Sequence, residues 1–369
     1  MLTLDALAAT RSLVVCVGPG GVGKTTVAAA LAVRAARAGR RTAVITIDPA
    51  RRLADALGLD GLDDELRRVP GLPLDAAMLE TKAAYDALVR RITPDPGARD
   101  RILTNRVYQS FSRTLARSHA YVAMERLYDV TASGAHDLVV LDTPPTRSAL
   151  DILDAPDRLV RFLDERVVGA FVGEDARGPR AWLRAKGTAV ALRLFGAMAG
   201  EALMEELAAF FEVFVHLRAG FAERAAAVRA RLADPTTSFV LVTAPDPTHL
   251  SDAAYLRDGL LDRDTPIDAV IFNRAFHAAA DGAPLARSAG WPDEALDGPP
   301  GTERVRAAAR ALRAHLDDDN ATFALARARF GAALPPTTAR CALPVLDAEP
   351  TSLADLAALL DRATAPQGR

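Results

Sequence analysis

The sequence predicts an α/β architecture: a mostly parallel sheet with helices on both faces, plus a helical subdomain. Short apolar runs rich in β-branched residues recur along the chain, helical spans separate them, and a polar residue follows each run. The first run, LVVCV at 13–17, is followed by a glycine-rich turn and an alanine-rich helix from Lys24 to Ala38, closed by Gly39. RTAVITI at 41–47 is a second strand, ending at Asp48-Pro49, and DLVVL at 137–141 a third, ending at Asp142. SFVLVT at 238–243 and IDAVIF at 267–272 add two more, ending near Asp246 and Asn273. Ligands of such sheets sit at the carboxyl ends of the strands.

Two helical stretches, roughly 53–133 and 148–234, are longer than a crossover needs and form the second layer. The expected organisation is a single domain over 1–369. Its core comes from about 12–60, 134–155, 236–277 and 338–369, and its helical subdomain from about 61–133 and 156–234. Residues 281–302 hold four glycines and four prolines and read as a loop.

Composition excludes several classes of function. With 50% hydrophobic residues, 25% charged and a net charge of −2, the chain is neither disordered nor cationic enough to be held generally by nucleic acid. Cys16 and Cys341 are its two cysteines, too few for a disulfide scaffold or a four-cysteine zinc site. The opening MLTLDALAATRSL has an acid among its apolar residues and no basic lead-in. No run of about 18 uncharged apolar residues occurs. An unprocessed cytoplasmic protein is expected, peripheral to a membrane only through a partner.

The glycine turn carries the chemistry. Residues 18–26, GPGGVGKTT, satisfy G-x-x-x-x-G-K-[ST] between a strand and a helix. In such a loop Gly18, Gly20, Gly21, Val22 and Gly23 wrap backbone N–H groups around phosphate oxygens, and Lys24 reaches the β/γ-phosphates. Thr25 ligates Mg²⁺, and Thr26 is read with the phosphate-binding residues. Of 45 basic residues only Lys24, Lys82 and Lys186 are lysine, so position 24 retains a compact ammonium against a strong arginine bias. The same segment also satisfies G-x-G-x-x-G, and Asp48 lies near the ~20-residue offset of a ribose-binding acid. That dinucleotide fingerprint makes no demand for Lys-Thr, whereas the phosphate loop needs both. Asp142 and Asp48, each ending a strand, are candidates for the Mg²⁺ shell, directly or through water, and for positioning water. An N-cap or Asx turn is the plainer role for either acid.

These residues resemble the ArsA-type ATPases, which include arsenite-pump ATPases and ATPases that deliver tail-anchored membrane proteins. They belong with the MinD and nitrogenase iron protein group of dimeric P-loop ATPases. GPGGVGKTT at 18–26, DPARRLADALG at 48–58, DTPPTRSALDIL at 142–153 and FNR at 272–274 carry the resemblance, with ALPVLDAEP at 342–350 a weaker match. The resemblance implies a P-loop NTPase sheet and Mg²⁺-dependent ATP hydrolysis that opens and closes a homodimer or heterodimer handling a client or a membrane-associated partner. It makes Asp48 the switch I acid that activates water, and Asp142, Thr143, Pro144, Pro145 and Thr146 switch II. Asn273 would recognise adenine, with Pro344 and Val345 lining the base, and Asp246 would approach the nucleotide of the partner subunit.

The sequence departs from that pattern. No C-x-x-C is present, so no zinc is expected, and two distant cysteines do not suit a trivalent metalloid. Met198, Met204, Phe210, Phe211, Phe214 and Phe221 fit either a client groove or the subdomain core. His119, His216 and His249 lack ligand spacing and read as ordinary polar residues. Finally, Pro19 stands where the family usually has an interface lysine. Slow hydrolysis with an ATP-sensing role, substitution by Arg51 or Arg52, or a lysine from a partner would each answer that change. If the missing cation limits turnover, Pro19→Lys raises the hydrolysis rate of the pure chain severalfold; an unchanged rate removes this explanation.

Overall fold

The computed structural model describes residues 3–47, 52–79, 89–90, 93, 95–105, 109, 119–145, 147–162, 220, 222–275, 303, 307–308, 311, 314–315, 318, 328–346, 350–361 and 363. Two compact units make up the chain. One comprises Met1–Met78, Ser133–Leu150 and Ala233–Arg369, and the other Leu79–Ala132 and Asp151–Leu232.

The first unit is built on an eight-stranded sheet. Its strands are β1 Leu13–Val17, β2 Thr42–Thr46, β3 Arg67–Arg68, β4 Leu74–Met78, β5 Leu138–Asp142, β6 Thr237–Thr243, β7 Ile267–Ala275 and β8 Ala339–Pro344, in the order β3-β4-β2-β5-β1-β6-β7-β8. All pairings are parallel except β3 with β4. Strands β1, β2, β5 and β6 are buried along their whole length, as expected of a parallel sheet covered on both faces. Their sequences accordingly run apolar without alternation.

Helix α1 is Leu4–Thr10, α2 Lys24–Arg37, α3 Arg52–Leu57, α4 Pro96–Thr104, α5 His119–Ala132, α6 Arg147–Phe162, α7 Pro247–Leu261 and α8 Leu353–Asp361. Helix α2 is the core helix: Val27 to Val33, Ala35 and Ala36 are all buried, and the many alanines keep its backbone close to β1, β2 and β5. It packs on its outer side against α1, α3 and α8. In the second unit Arg224 joins its own helical segment to α5, 3.2 Å from Glu125 and 3.0 Å from Asp129, with its guanidinium over the Tyr128 ring. Burial opposes the charge on Arg224, but the two carboxylates prevail and raise its pKa.

The sequence reading places 61–133 among helices, and the structure corrects this at its start. Residues 67–68 and 74–78 form β3 and β4, at one edge of the sheet. The segment LDAAM of β4 has no β-branched residue, so its local preference does not announce a strand; burial against β2 decides it. Strand β8, which the sequence reading also lacks, forms the other edge.

Gly18 leaves β1 so close to β6 that a Cβ there would lie 2.1 Å from the Val242 carbonyl oxygen, a backbone atom of a central strand. We expect Gly18→Ala to lower the unfolding free energy by about 2 kcal/mol, read as a shifted urea midpoint. Gly259→Ala is the control. Its Cβ would displace only the Leu150 side chain, and the helix gains about 1 kcal/mol from alanine in compensation. Equal losses in the two variants would show that the Gly18 approach is not the constraint.

Candidate active site

Seven parallel strands deliver their carboxyl ends to one edge, with β1 near the middle between β5 and β6. The chain goes from β1 to β2 on one side of it and later to β6 on the other, so the crevice opens above β1. Residues 18–23 fill that crevice and lead into α2. Gly23 is the N-cap of α2 with φ +88°, a left-handed conformation that glycine adopts at little cost. It has no side chain with which to cap the helix, and the first-turn N–H groups have no acceptor within the helix itself. An anion at this point would meet those groups and the positive end of the helix dipole.

Lys24 and Thr25 follow at once, both buried. The Lys24 ammonium, with the residue only 7% exposed, donates to the Pro19 carbonyl at 2.7 Å, folded back along the loop it serves. Thr25 donates its hydroxyl to Asp142 Oδ2 at 2.7 Å, and the Thr46 hydroxyl donates to the same oxygen at 2.8 Å. Asp142 is 0% exposed, so these donors offset part of the cost of burying a carboxylate. Pairing of β1 with β5 sets Cys16 opposite Asp142, and pairing of β2 with β5 sets Thr46 opposite it. Thus the register of three strands positions the group. The donor set is hard oxygen, hydroxyl beside carboxylate, which fits Mg²⁺ and its preference for completing its shell with water and phosphate.

Residues 143–145 lie beside the loop. The Thr143 hydroxyl donates to the Cys16 carbonyl at 2.8 Å, Pro144 is buried, and a Cβ on Gly20 would touch Pro145 at 3.6 Å. Asp48, Arg51 and Thr146 lie outside the described residues, as do Lys82, Met198, Met204, Phe210, Phe211, Phe214, Phe221, His216 and the glycine- and proline-rich stretch 281–302.

Asn273 sits at an irregularity of β7, where the pairing with β8 shifts between Phe272 and Ala275 and Arg274 takes φ +57°. That shift turns the Asn273 amide onto the loop. Its Nδ2 donates to the Val22 carbonyl at 2.8 Å and would lie 2.3 Å from a Cβ on Gly23, so glycine is required there by contact as well as by φ. The Asn273 contact with the loop is a role that its sequence context does not show. Val345, 40% exposed, follows Pro344 at the end of β8, the neighbour of β7.

Asp246 is the N-cap of α7: its Oδ1 accepts the His249 backbone N–H at 3.1 Å. His249, read from sequence as an ordinary polar residue, instead reaches the site. Its Nδ1 is hydrogen-bonded to Asp246 Oδ2 and its Nε2 to the Gly20 carbonyl at 3.1 Å. Burial works against ionisation of Asp246, but the His249 ring and backbone donors outweigh it and hold the carboxyl below its ordinary range. The available sequence signal was Asp-Pro-x-His after a strand, a capped helix whose third residue faces back toward the sheet edge. Thr46, two residues before Asp48, was likewise missed.

Cys16 is in β1 and Cys341 in β8, three strands apart and so about 14 Å from one another across the sheet, too far to share a ligand. Burial, helped by nearby Asp142, pushes the Cys16 thiol far up, and burial pushes Cys341 up to about 12. Both act as packed thiols.

The family model of anion-transporting ATPases matches residues 11–288. An uncharacterized protein of Streptomyces coelicolor is 30% identical over 260 residues, 70% of this chain and 60% of that one. The ATPase GET3B of Arabidopsis thaliana is 28% identical over 294 residues, 70% of this chain and 62% of that one. A putative arsenical pump-driving ATPase of Halobacterium salinarum is 30% identical over 157 residues, 40% of this chain and 24% of that one. The chain therefore spans less than two thirds of the length of these relatives. A match over residues 11–288, on a sheet whose central crevice holds a lysine-threonine phosphate loop against a strand-end aspartate, makes this chain a member of the anion-transporting ATPase family.

Proposed function

We propose that the chain binds ATP with Mg²⁺ in the crevice above β1, hydrolyses it, and uses the cycle to open and close a dimer that handles a partner protein. One observation carries this reading: the Thr25 hydroxyl stands 2.7 Å from Asp142 at the foot of a glycine loop that ends in Lys24. Nucleotide phosphates would draw the Lys24 ammonium from the Pro19 carbonyl to their own oxygens, while the loop and first-turn N–H groups receive the remaining negative charge. Thr25 and Asp142 would hold Mg²⁺, directly or through water, and the ion would neutralise charge on the β/γ-phosphates.

Asp48 is the proposed activator of water. The Ile47 N–H bonds to the Asp142 carbonyl at 3.2 Å, so the chain leaving β2 is still tied to the end of β5 one residue before Asp48. The irregular end of β7 and the exposed Val345 support adenine binding by Asn273, Pro344 and Val345. Asp246, half exposed beside the loop, supports the contact with nucleotide across a dimer. Family membership sets aside the dinucleotide reading. Among the described residues no helix is long and apolar enough to cross a membrane.

Pro19 supports a second reading, an ATP-binding sensor with little hydrolysis of its own, and one set of measurements separates the two. Lys24→Ala should abolish detectable binding of ATP. Asp48→Asn should bind ATP normally and lose hydrolysis by about 100-fold or more, the scale of a removed general base. Normal turnover in Asp48→Asn would refute its assignment. For the wild-type chain, the rate per chain should climb with protein concentration and then saturate, as a dimeric catalyst requires. A rate near zero with ATP bound would favour the sensor.

A further inference from the structure

We infer that His249 is a positioning residue of the phosphate loop: bridging the Asp246 carboxylate and the Gly20 carbonyl, its ring sets how well the loop receives a nucleotide phosphate. The inference rests on the ATP-binding reading and adds a residue to it.

The bridge is held from every side. The His249 N–H goes to Asp246 Oδ1, its carbonyl accepts the Thr243 hydroxyl at 3.2 Å, and Nδ1 is bonded to Asp246 Oδ2. With the backbone and one ring nitrogen fixed, the other nitrogen has one place to point. It meets the Gly20 carbonyl at 3.1 Å.

Both ring nitrogens thus face oxygens that only accept. A ring N–H at this point donates to the Gly20 carbonyl, and the bond at the other nitrogen keeps it aimed there. The charged group bonded to the ring is Asp246, at the cap of its own helix. The Lys24 ammonium occupies the Pro19 carbonyl, the peptide before Gly20.

The effect on phosphate binding follows from peptide geometry. The Gly20 carbonyl and the Gly21 N–H belong to one planar trans unit and point in opposite directions. A donor fixed on the Gly20 oxygen therefore fixes the Gly21 N–H as well. This peptide joins two glycines, with Gly21 at φ +75°, so side-chain sterics do little to keep it from turning over. Loss of the imidazole releases it, and the loop loses a preset donor to the phosphate.

Titration of the pure chain with Mg²⁺-ADP, followed calorimetrically, tests this. His249→Ala should bind about three- to tenfold more weakly than wild type, with His249→Gln in between because its amide can still donate to Gly20. Equal affinities of folded wild type, His249→Gln and His249→Ala would overturn the inference and leave ATP binding intact. Absence of wild-type binding would instead overturn the ATP-binding reading, and the role of His249 with it.

Discussion

An anion cradle made of backbone must turn its N–H groups inward, and every carbonyl turned the other way then needs a donor of its own. Three carbonyls of the loop after β1 find one in a side chain. Pro19 is bonded by Lys24, Gly20 by His249 and Val22 by Asn273. Those side chains come from α2, α7 and β7, so the conformation of six loop residues depends on elements spread over most of the sequence. The loop has the glycines that permit the turn, but the surrounding elements select it. Even the close passage of Gly18 beneath Val242 is set by β6, more than two hundred residues later.

The carboxylate end of the site obeys a matching constraint. Asp142 is fully buried, and a buried carboxylate is expensive unless donors surround it. Thr25 and Thr46 supply two, one from the start of α2 and one from the end of β2. A ligand that draws the Thr25 hydroxyl away alters the balance at the Thr46 contact as well, because both converge on one oxygen. Thr46 ends β2, so such a ligand would act on the exit of that strand through Asp142. This coupling needs no large motion; it is the redistribution of two hydrogen bonds around one charge.

What could be read from sequence divides along physical lines. The strands at 13–17, 42–46, 138–142 and 237–243 were legible because burial on both faces forces continuous apolar runs, and β1 falls on the expected boundaries. Lys24 and Thr25 were legible because a phosphate loop is local, its parts fixed by consecutive residues. Strand β4 was not, since alanine and methionine serve a helix as well as a buried edge, and its pairing with β2 was the deciding term. Nor were His249 and Thr46, whose partners Gly20 and Asp142 lie 229 and 96 residues away. Spacing along the chain carries no trace of such contacts. Asn273 was singled out only through its FNR segment, and its bond to Val22 depends on an irregularity in β7 that sequence does not announce.

Proline at position 19 illustrates how a substitution can preserve one function of a residue and remove another. Proline has no N–H to offer an anion and no charge to extend, but its carbonyl remains a full acceptor, and that carbonyl is what Lys24 uses. The loop therefore keeps the contact that parks its essential cation while losing nothing from its inward-facing glycines. The consequences of Pro19 then lie with its missing N–H, its fixed φ and what a longer side chain would have reached beyond the loop. The fixed φ of proline also stiffens the turn just before the flexible Gly20–Gly21 peptide. Freedom in the loop is thereby concentrated at the one peptide whose carbonyl His249 holds.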